Sequence, residues 1–598
     1  MTGHELLDAM EGIDVRYIED AAASPRRKRP IWLRVTAAVA CMCLLACGVW
    51  QATRWGTMRA RMTEGGAVTL PQDVFATSET YGTLTDLLEG LQSGESHTRG
   101  DGVEILAKTT EPNALTEGQN AVVYNGYSYH LSRDVIIVSA LMGANSQTIA
   151  TINLDTAAVQ LKDDQTVRGN FAALFLRGDR LIAVNTLEVE GGKAVDRGTY
   201  TVVTVYSLSD SIVPAMFHRF VQLGSLTHVY MVGNRLTLMT ADGVCSCGWS
   251  RLKNTQDYVP ELTVDGETVA WGEERLHVLG EPRMVQYLAV TQIDTVTATV
   301  TDHHAFYGEV LDVYYGADWF AVSTVEDMDT IYTFTAKDDI RYTGAITMPD
   351  QEFARTAVLS MSKDKDVYRV LAEYRTGRGG NTKTSLLAMT ANTETGESYY
   401  RLRLLEYASM TFLSEVYWEK DRVVIVAEGA VLFAEFYGMA VRLYESPFEA
   451  QAVTADDGAK AEKTLIDLSQ GQYLRFAADG DGLELWDLGR SNAPEKTICE
   501  TLLTEGEVFV DCWTVYDRNT IGIAVAVPNE NGNRHRGNVQ WYLYRLDRKA
   551  KTFERLAVYD LQTNPDFYSS VYQFSSFEYE DQSYITTADL SVPLAISW

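Results

Sequence analysis

Cysteine is scarce in this chain, seven in 598 residues. Three of them, Cys41, Cys43 and Cys47, fall in one apolar stretch, which leaves Cys245, Cys247, Cys499 and Cys512 for everything else. A fold built on disulfides is thereby excluded, because such folds are short and dense in cysteine. Cys499 and Cys512 suit a bridge between adjacent strands. Cys245 and Cys247 are too close in sequence for an unstrained bridge, and a metal site there would need two further ligands. Proline is sparse, 13 residues, while Tyr is plentiful at 32, a balance that favours strands. Basic charge is also short: 51 basic against 81 acidic residues, a net of −30. Beyond residue 61 the balance is 42 to 75, a net of −33. Such a surface repels phosphate backbones and anionic headgroups, which disfavours nucleic-acid binding and flat docking on anionic lipid. It suits a dispersed domain that tolerates cations or cationic partners. Gly-x-Ser-x-Gly and His-Glu-x-x-His are both missing.

Charge is absent altogether from Val35 to Thr53, nineteen residues in a row. At about 1.5 Å rise they span roughly 28 Å as a helix, close to the hydrocarbon thickness of a bilayer. Trp32, Trp50 and Trp55 flank the run as interfacial anchors do. Five basic residues from Arg26 to Arg34 precede it and three follow, Arg54, Arg59 and Arg61. That bias predicts a transmembrane helix over 31–55, a single-pass anchor with its N-terminus cytoplasmic. The alternative is a lipoprotein signal: Leu44-Leu45-Ala46-Cys47 places a small residue before a cysteine that would carry the acyl chains. Against that, the leader would be long and would begin with an acidic amphipathic segment.

That segment is the stub, residues 1–30. Leu6, Met10, Ile13 and Tyr17 make one apolar stripe at helical spacing, and Glu5, Asp8, Glu11, Asp14, Glu19 and Asp20 fill the other faces. Gly12 splits it, with Asp14 as a cap. It reads as a helix for a cytoplasmic partner, or as a juxtamembrane helix with none. The run Glu5-Leu6-Leu7-Asp8-Ala9-Met10 through Tyr17-Ile18-Glu19-Asp20-Ala21-Ala22 is similar to the N-terminal stubs of Gram-positive single-pass proteins, some described as anti-sigma-factor-like.

Residues 56–118 read as an extracellular linker, with turn-formers at Gly65-Gly66 and Ser93-Gly94-Glu95-Ser96 and a short helix at Leu84–Leu91. From 119 onward short β-type runs recur. A turn with Asp or Asn precedes each strand, as in Asn125-Gly126-Tyr127, Gly178-Asp179-Arg180, Gly233-Asn234-Arg235, Gly316-Ala317-Asp318, Lys365-Asp366-Val367, Lys420-Asp421-Arg422, Asp481-Gly482-Leu483, Asp517-Arg518-Asn519 and Glu580-Asp581-Gln582. A second strand type ends on an acidic residue, as in Thr151–Asp155, Val205–Asp210, Ala289–Asp294 and Leu543–Asp547. Units of roughly fifty to sixty residues with several strands each predict an all-β chain with a single β-propeller over 119–598. About eight blades fit that period, with seven as the alternative, and the strands from Val571 to Trp598 are expected to complete the first blade.

Stub, single span and long-blade repeats together resemble the bacterial secreted or membrane-anchored family with a C-terminal β-propeller distantly related to WD-type repeats. Tyr81-Gly82-Thr83-Leu84-Thr85-Asp86-Leu87-Leu88 is similar to the family's short helix before the propeller, and Tyr258-Val259-Pro260 is a further echo. The likeness covers roughly residues 80–598 and implies a fold and a location, not an activity. Where the family carries an Asp-Glu-Ala-Asp-like stretch, this chain has Leu115-Thr116-Glu117-Gly118-Gln119-Asn120, which puts a shared site there in doubt.

Three motifs invite chemistry. Gly377-Arg378-Gly379-Gly380-Asn381-Thr382-Lys383-Thr384 looks like a phosphate loop but lacks its last glycine and has strand-like runs on both sides, so a hairpin is expected. Asp479-Gly480-Asp481-Gly482, with Glu484 and Asp487, offers the oxygens calcium takes, without the full loop spacing. Asp302-His303-His304 has residue types for acid–base or metal work, with no third ligand at a fixed spacing. No catalytic, cofactor-binding or metal residue and no cofactor is assigned on this basis. The expectation is a membrane-anchored extracellular binding or sensing module for a protein or glycan; the alternative is a hydrolase or lyase using carboxylates on the propeller face.

Overall fold

The computed structural model describes residues 62–64 and, between 105 and 596, the strands and most of the shorter turns that join them. The expected stub, the membrane helix over 31–55, Cys47 and the short helix at Leu84–Leu91 lie outside the described residues. Among the described residues no helix is long and apolar enough to cross a membrane. The chain divides near residue 62, and the unit described below is 63–598.

That unit is built of strands, with short 3-10 turns at Thr156–Ala158 and Glu273–Arg275. The described strands of 105–596 fall into nine sheets. Eight of them contain an antiparallel run of four strands in chain order. Sheet 1 runs from Ala121–Tyr124 to Gln147–Asn153, sheet 2 from Gln165–Arg177 to Ala215–Leu223, and sheet 3 from Ser225–Val232 to Thr299–Tyr307. Sheet 4 runs from Val310–Tyr315 to Arg341–Thr347, sheet 5 from Ala354–Asp364 to Glu397–Leu404, and sheet 6 from Leu413–Glu419 to Ala440–Glu445. Sheets 7 and 8 run from Leu465–Asp467 to Glu495–Thr501 and from Val508–Asp517 to Thr552–Asp560. Ser575–Tyr579, Gln582–Thr586 and Leu594–Ile596 form the three-stranded sheet 9. These last strands were expected to complete the first sheet. They pair with one another instead, and reach sheet 1 by side chains: the Gly143 amide donates to the Tyr584 hydroxyl at 3.1 Å.

Among the described residues, the turns at Asn125-Gly126, Gly178-Asp179, Gly233-Asn234 and Lys365-Asp366 lie where expected, for local reasons. Asn125 and Gly126 both have positive φ, 47° and 82°, the geometry that matches a two-residue hairpin to the twist of its strands. In four sheets the carbonyl of the turn's Asp or Asn accepts from a main-chain amide at the far end of the third strand: Leu208 to Asp179, Thr295 to Asn234, Ala336 to Asp318 and Phe436 to Asp421. In sheets 2 and 3 the turn and the acidic-ended strand are thus joined by one hydrogen bond.

Sheets 1 to 5 stack face to face in succession. On the strand Trp319–Thr324, Trp319 and Ala321 enter the core with Tyr368 and Met389 of sheet 5, while Phe320 and Val322 enter the core with Tyr230 and Phe306 of sheet 3. The alternating strand pattern expected from sequence is therefore a continuous apolar run here, because both faces are buried. Sheets 1 and 2, and sheets 2 and 3, share cores in the same way. Arginines at the turns tie neighbours together: Arg177 Nε donates to Asn234 Oδ1 at 2.7 Å, Arg235 Nη2 to the Ala317 carbonyl at 2.9 Å, and Arg369 Nη2 to Asp421 Oδ1 at 2.9 Å. Cys499 and Cys512 stand in different sheets, 7 and 8, so they are not on paired strands as expected.

Candidate functional site

The segment expected to be linker enters the fold at residue 105. Leu106–Thr109 pairs in parallel with the first strand of sheet 4, and Thr116–Glu117 pairs antiparallel with the first strand of sheet 3. Gln119 and Leu174, on the first strand of sheet 2, exchange both main-chain hydrogen bonds, at 2.9 and 2.7 Å. The chain then becomes the first strand of sheet 1 at Ala121. Upstream, the Thr110 hydroxyl donates to the Met361 carbonyl of sheet 5 at 3.0 Å. One stretch of about fifteen residues thus touches five sheets, so their first-strand edges converge on it.

Side chains hold it there. Ile105 and Leu115 are buried in the core between sheets 3 and 4. The Glu117 carboxylate accepts from His228 Nε2 and from the Tyr315 hydroxyl, both at 2.8 Å. Tyr315 lies against His228 and Tyr230, with ring centroids 4.4 and 4.9 Å apart. Burial, and then Glu117, push the Tyr315 phenol far above its ordinary range, so it serves only as a neutral donor. Burial likewise raises Tyr230 to about 12, partly offset by Thr237 and Arg235. Glu111 accepts from Trp319 Nε1 at 3.1 Å and from the Ala317 amide at 3.3 Å. Lys108 pairs with Asp312 at 3.1 Å. Gly118 permits the approach to sheet 2: a Cβ there would come within 2.5 Å of the Ala173 Cβ. Glu117 is engaged from sheets 3 and 4 and Glu111 from sheet 4, so both acids of the segment serve to clamp it to the sheets.

Asp302, His303 and His304 sit far from those edges, on the outer strand of sheet 3. Asp302 is buried and takes Arg275 Nη1 on Oδ1 and the Ile340 amide on Oδ2, the latter at 2.7 Å. Burial alone would raise its pKa; hydrogen bonds from His304, Ile340 and Arg275 and the positive charge beside it hold it well below the carboxylate range. His304 Nε2 lies 3.3 Å from Asp302, and His304 Nδ1 lies 2.7 Å from His277 Nε2. His303 Nε2 is 3.3 Å from the Ala270 carbonyl and its ring meets Trp271 edge-on. The triplet read from sequence is therefore one buried network, with partners, Arg275 and His277, that sequence reasoning missed. Only their 3-10 turn and three-residue strand hint at a strap. Among the described residues no group of three or more metal-type side chains is placed to hold an ion.

The family model described as a beta propeller domain matches residues 115–426. The chain belongs to that β-propeller family. The match begins at Leu115, so it takes in Glu117 and Gly118 of the leading segment and begins after Glu111. A search of curated proteins finds no match. Among solved structures, the WD40 domain of SCAP from fission yeast is 9% identical, covering 52% of this chain and 80% of its own, with a TM-score of 0.27. The β-propeller domain of the Trilobed protease from Pyrococcus furiosus is 7% identical, covering 69% and 99%, with a TM-score of 0.25. Prolyl oligopeptidase B from Galerina marginata is 9% identical, covering 70% of this chain and 54% of its own, with a TM-score of 0.31.

The strands that flank the other motifs pair with each other. Val367–Thr376 and Lys383–Asn392 are antiparallel, with Thr376 opposite Lys383. Gln472–Phe476 and Gly482–Asp487 pair likewise around 477–481. Residues 377–382, 477–481 and Cys245 and Cys247 themselves lie outside the described residues.

Proposed function

We propose that this chain is a membrane-anchored binding or sensing module, with the propeller on the extracellular side and the stub of residues 1–30 in the cytoplasm. The observation that carries the binding reading is the occupation of the converging first-strand edges by residues 105–120. A propeller-face hydrolase needs an open funnel with two free carboxyls in reach of a substrate. Here Glu117 is held by His228 of sheet 3 and Tyr315 of sheet 4, and Glu111 by Trp319 of sheet 4. The ligand in this reading is an extracellular protein or glycan, bound by turns exposed around the propeller. Eight four-stranded runs support an eight-bladed ring. The uncharged run Val35–Thr53 and its basic N-terminal flank support the single-pass anchor, and the resemblance of the stub supports a bacterial, Gram-positive setting and a cytoplasmic partner.

The full chain in lipid nanodiscs, screened against surface-protein fractions and glycan arrays, tests the reading. Saturable retention of an unmodified ligand supports it. Cleavage of any arrayed glycan or protein by the purified chain, lost on substituting an acidic residue, replaces it with the hydrolase. Capture with residues 1–30 tests the stub, and the mass of the mature N-terminus tests the anchor: a chain starting at an acylated Cys47 removes the stub and any coupling through it.

A further inference from the structure

The propeller carries one insertion between the second and third strands of sheet 3, and both of its described ends are held by histidine. Its hairpin, Leu262–Val264 with Glu267–Thr268, leaves sheet 3 and pairs with the outer strand of sheet 2, Leu262 opposite Gln222 and Val264 opposite Phe220. There His218 Nδ1 meets Asp265 Oδ2 at 2.6 Å, and the Arg219 amide donates to Asp265 Oδ1 at 2.9 Å. The insertion then returns to sheet 3, where Leu276–Val278 pairs in parallel with Ala305–Tyr307, and Leu279 is buried in the core beyond it. Between these ends the strap is fastened by Arg275 to Asp302, by Ala270 to His303, and by His277 to His304. Of the nine histidines in the chain, His218, His277, His303 and His304 are spent on this one insertion.

The two ends are fastened differently. At the sheet 2 end His218 faces a carboxylate, that of Asp265. At the sheet 3 end the two rings stack in parallel, 8° apart, with centroids at 5.0 Å and one nitrogen of each facing the other at 2.7 Å. One of those nitrogens must present a lone pair. With His304 directing Nε2–H to Asp302, its Nδ1 accepts from His277. A single proton is tolerated, because the protonated ring then donates across the pair and the neutral ring presents its lone pair. A second proton leaves N–H facing N–H between two stacked cations, and the hydrogen bond is gone.

We propose that acid releases the strap 270–278 from the outer edge of sheet 3 while the hairpin 262–268 and Leu279 keep its ends attached. Asp302 stays ionised at pH 4 and keeps its contact with Arg275, a single tie that does not replace the main-chain pairing of 276–278. Arg275 adds positive charge, Glu274 is exposed with its carboxylate 3.8 Å from Arg275, and on the turn packed beneath, Asp339 and Arg341 pair with each other at 2.6 Å. Burial, and then His304, hold the His277 pKa down at about 4. A histidine depressed in the folded state favours attachment above its ordinary pKa of about 6.5 and loses that contribution as the pH falls toward 4. Release bares the outer edge of Ala305–Tyr307, a row of main-chain donors and acceptors able to pair with another strand.

Hydrogen–deuterium exchange of the full chain, corrected for intrinsic rates, tests this between pH 7 and pH 4. Exchange in 270–279 is expected to rise at least tenfold, with 286–294 of the same sheet and hairpin 262–268 unchanged. His277→Gln keeps a donor toward His304 and cannot take the second proton, so its strap stays protected at pH 4. His303→Gln leaves the transition in place. Protection of 270–279 that persists at pH 4 in the unaltered chain overturns the proposal. So does loss of protection in 286–294 at the same pH, or an equal rise in a folded His277→Gln variant.

Discussion

His228 donates to Glu117 at 2.8 Å across 111 positions of sequence, and this contact joins a strand edge of sheet 3 to the segment that leads into the fold. Tyr315, from sheet 4, completes the arrangement on the other carboxylate oxygen. A carboxylate accepting two donors from two sheets fastens both edges to the same residue. Its worth is a matter of a few hydrogen bonds, each about 1 kcal/mol net, since Glu117 remains partly open to water.

Glu117→Gln is expected to lower unfolding stability by about 1 kcal/mol, because its amide presents a donor where a donor already stands. Tyr315→Phe costs about as much alone. The two together are expected to cost clearly less than their sum, measured as a double-mutant cycle by urea unfolding; full additivity would mean the contact contributes nothing.

Gly118→Ala is expected to destabilise the chain by about 1–3 kcal/mol, since the new methyl group meets the Ala173 Cβ at 2.5 Å. Ala173→Gly in the same chain is expected to restore part of the loss. A midpoint unchanged by Gly118→Ala would show that the segment does not approach sheet 2 this closely.

Arg369, 6% exposed, reaches Asp364 on its own hairpin and Asp421 on the next sheet, both at 2.9 Å. Arg369→Lys is expected to cost about 1–2 kcal/mol despite the retained charge, because it loses the guanidinium over the Phe436 ring, 5.6 Å from its centroid. Arg369→Ala is expected to cost more, about 3 kcal/mol, by leaving the two acids without their cation. Thermal unfolding of the two variants, ranked in that order, checks the clamp between sheets 5 and 6.

Asp302 is held below the carboxylate range by the folded state, so its contribution is present above the ordinary carboxylate pKa of about 4 and is lost as pH falls further. Asp302→Asn is therefore expected to cost about 2–3 kcal/mol at pH 7, by stranding Arg275, and progressively less below pH 4. Unfolding curves of the two proteins that stay parallel from pH 7 to pH 3 would remove Asp302 from that role.

Local chemistry was legible residue by residue. Asn125-Gly126 announces a hairpin because few other pairs adopt two positive φ angles at low cost. The recurring Asp and Asn turns announce sheets of about four strands for the same kind of reason. Exposure was misjudged where it depends on neighbours: Trp319-Phe320-Ala321-Val322 is buried on both faces, which no single strand reveals. Ser576 and Ile585 pair within their own sheet rather than with sheet 1, because closure is decided by which edges come together at the end.

By itself, then, the sequence determined the strand-and-turn repeat, the uncharged run at Val35–Thr53 and the acidic bulk beyond it, all of which follow from short-range turn chemistry and composition. Only the tertiary structure decided that Leu115 to Asn120, which looks like the tail of a linker, lies across the first-strand edges with Glu117 between His228 and Tyr315. It alone brought His277 to His304 as well. Edge pairing and side-chain meeting are set by the convergence of sheets far apart in the chain, and no local preference encodes which edge a strand will find.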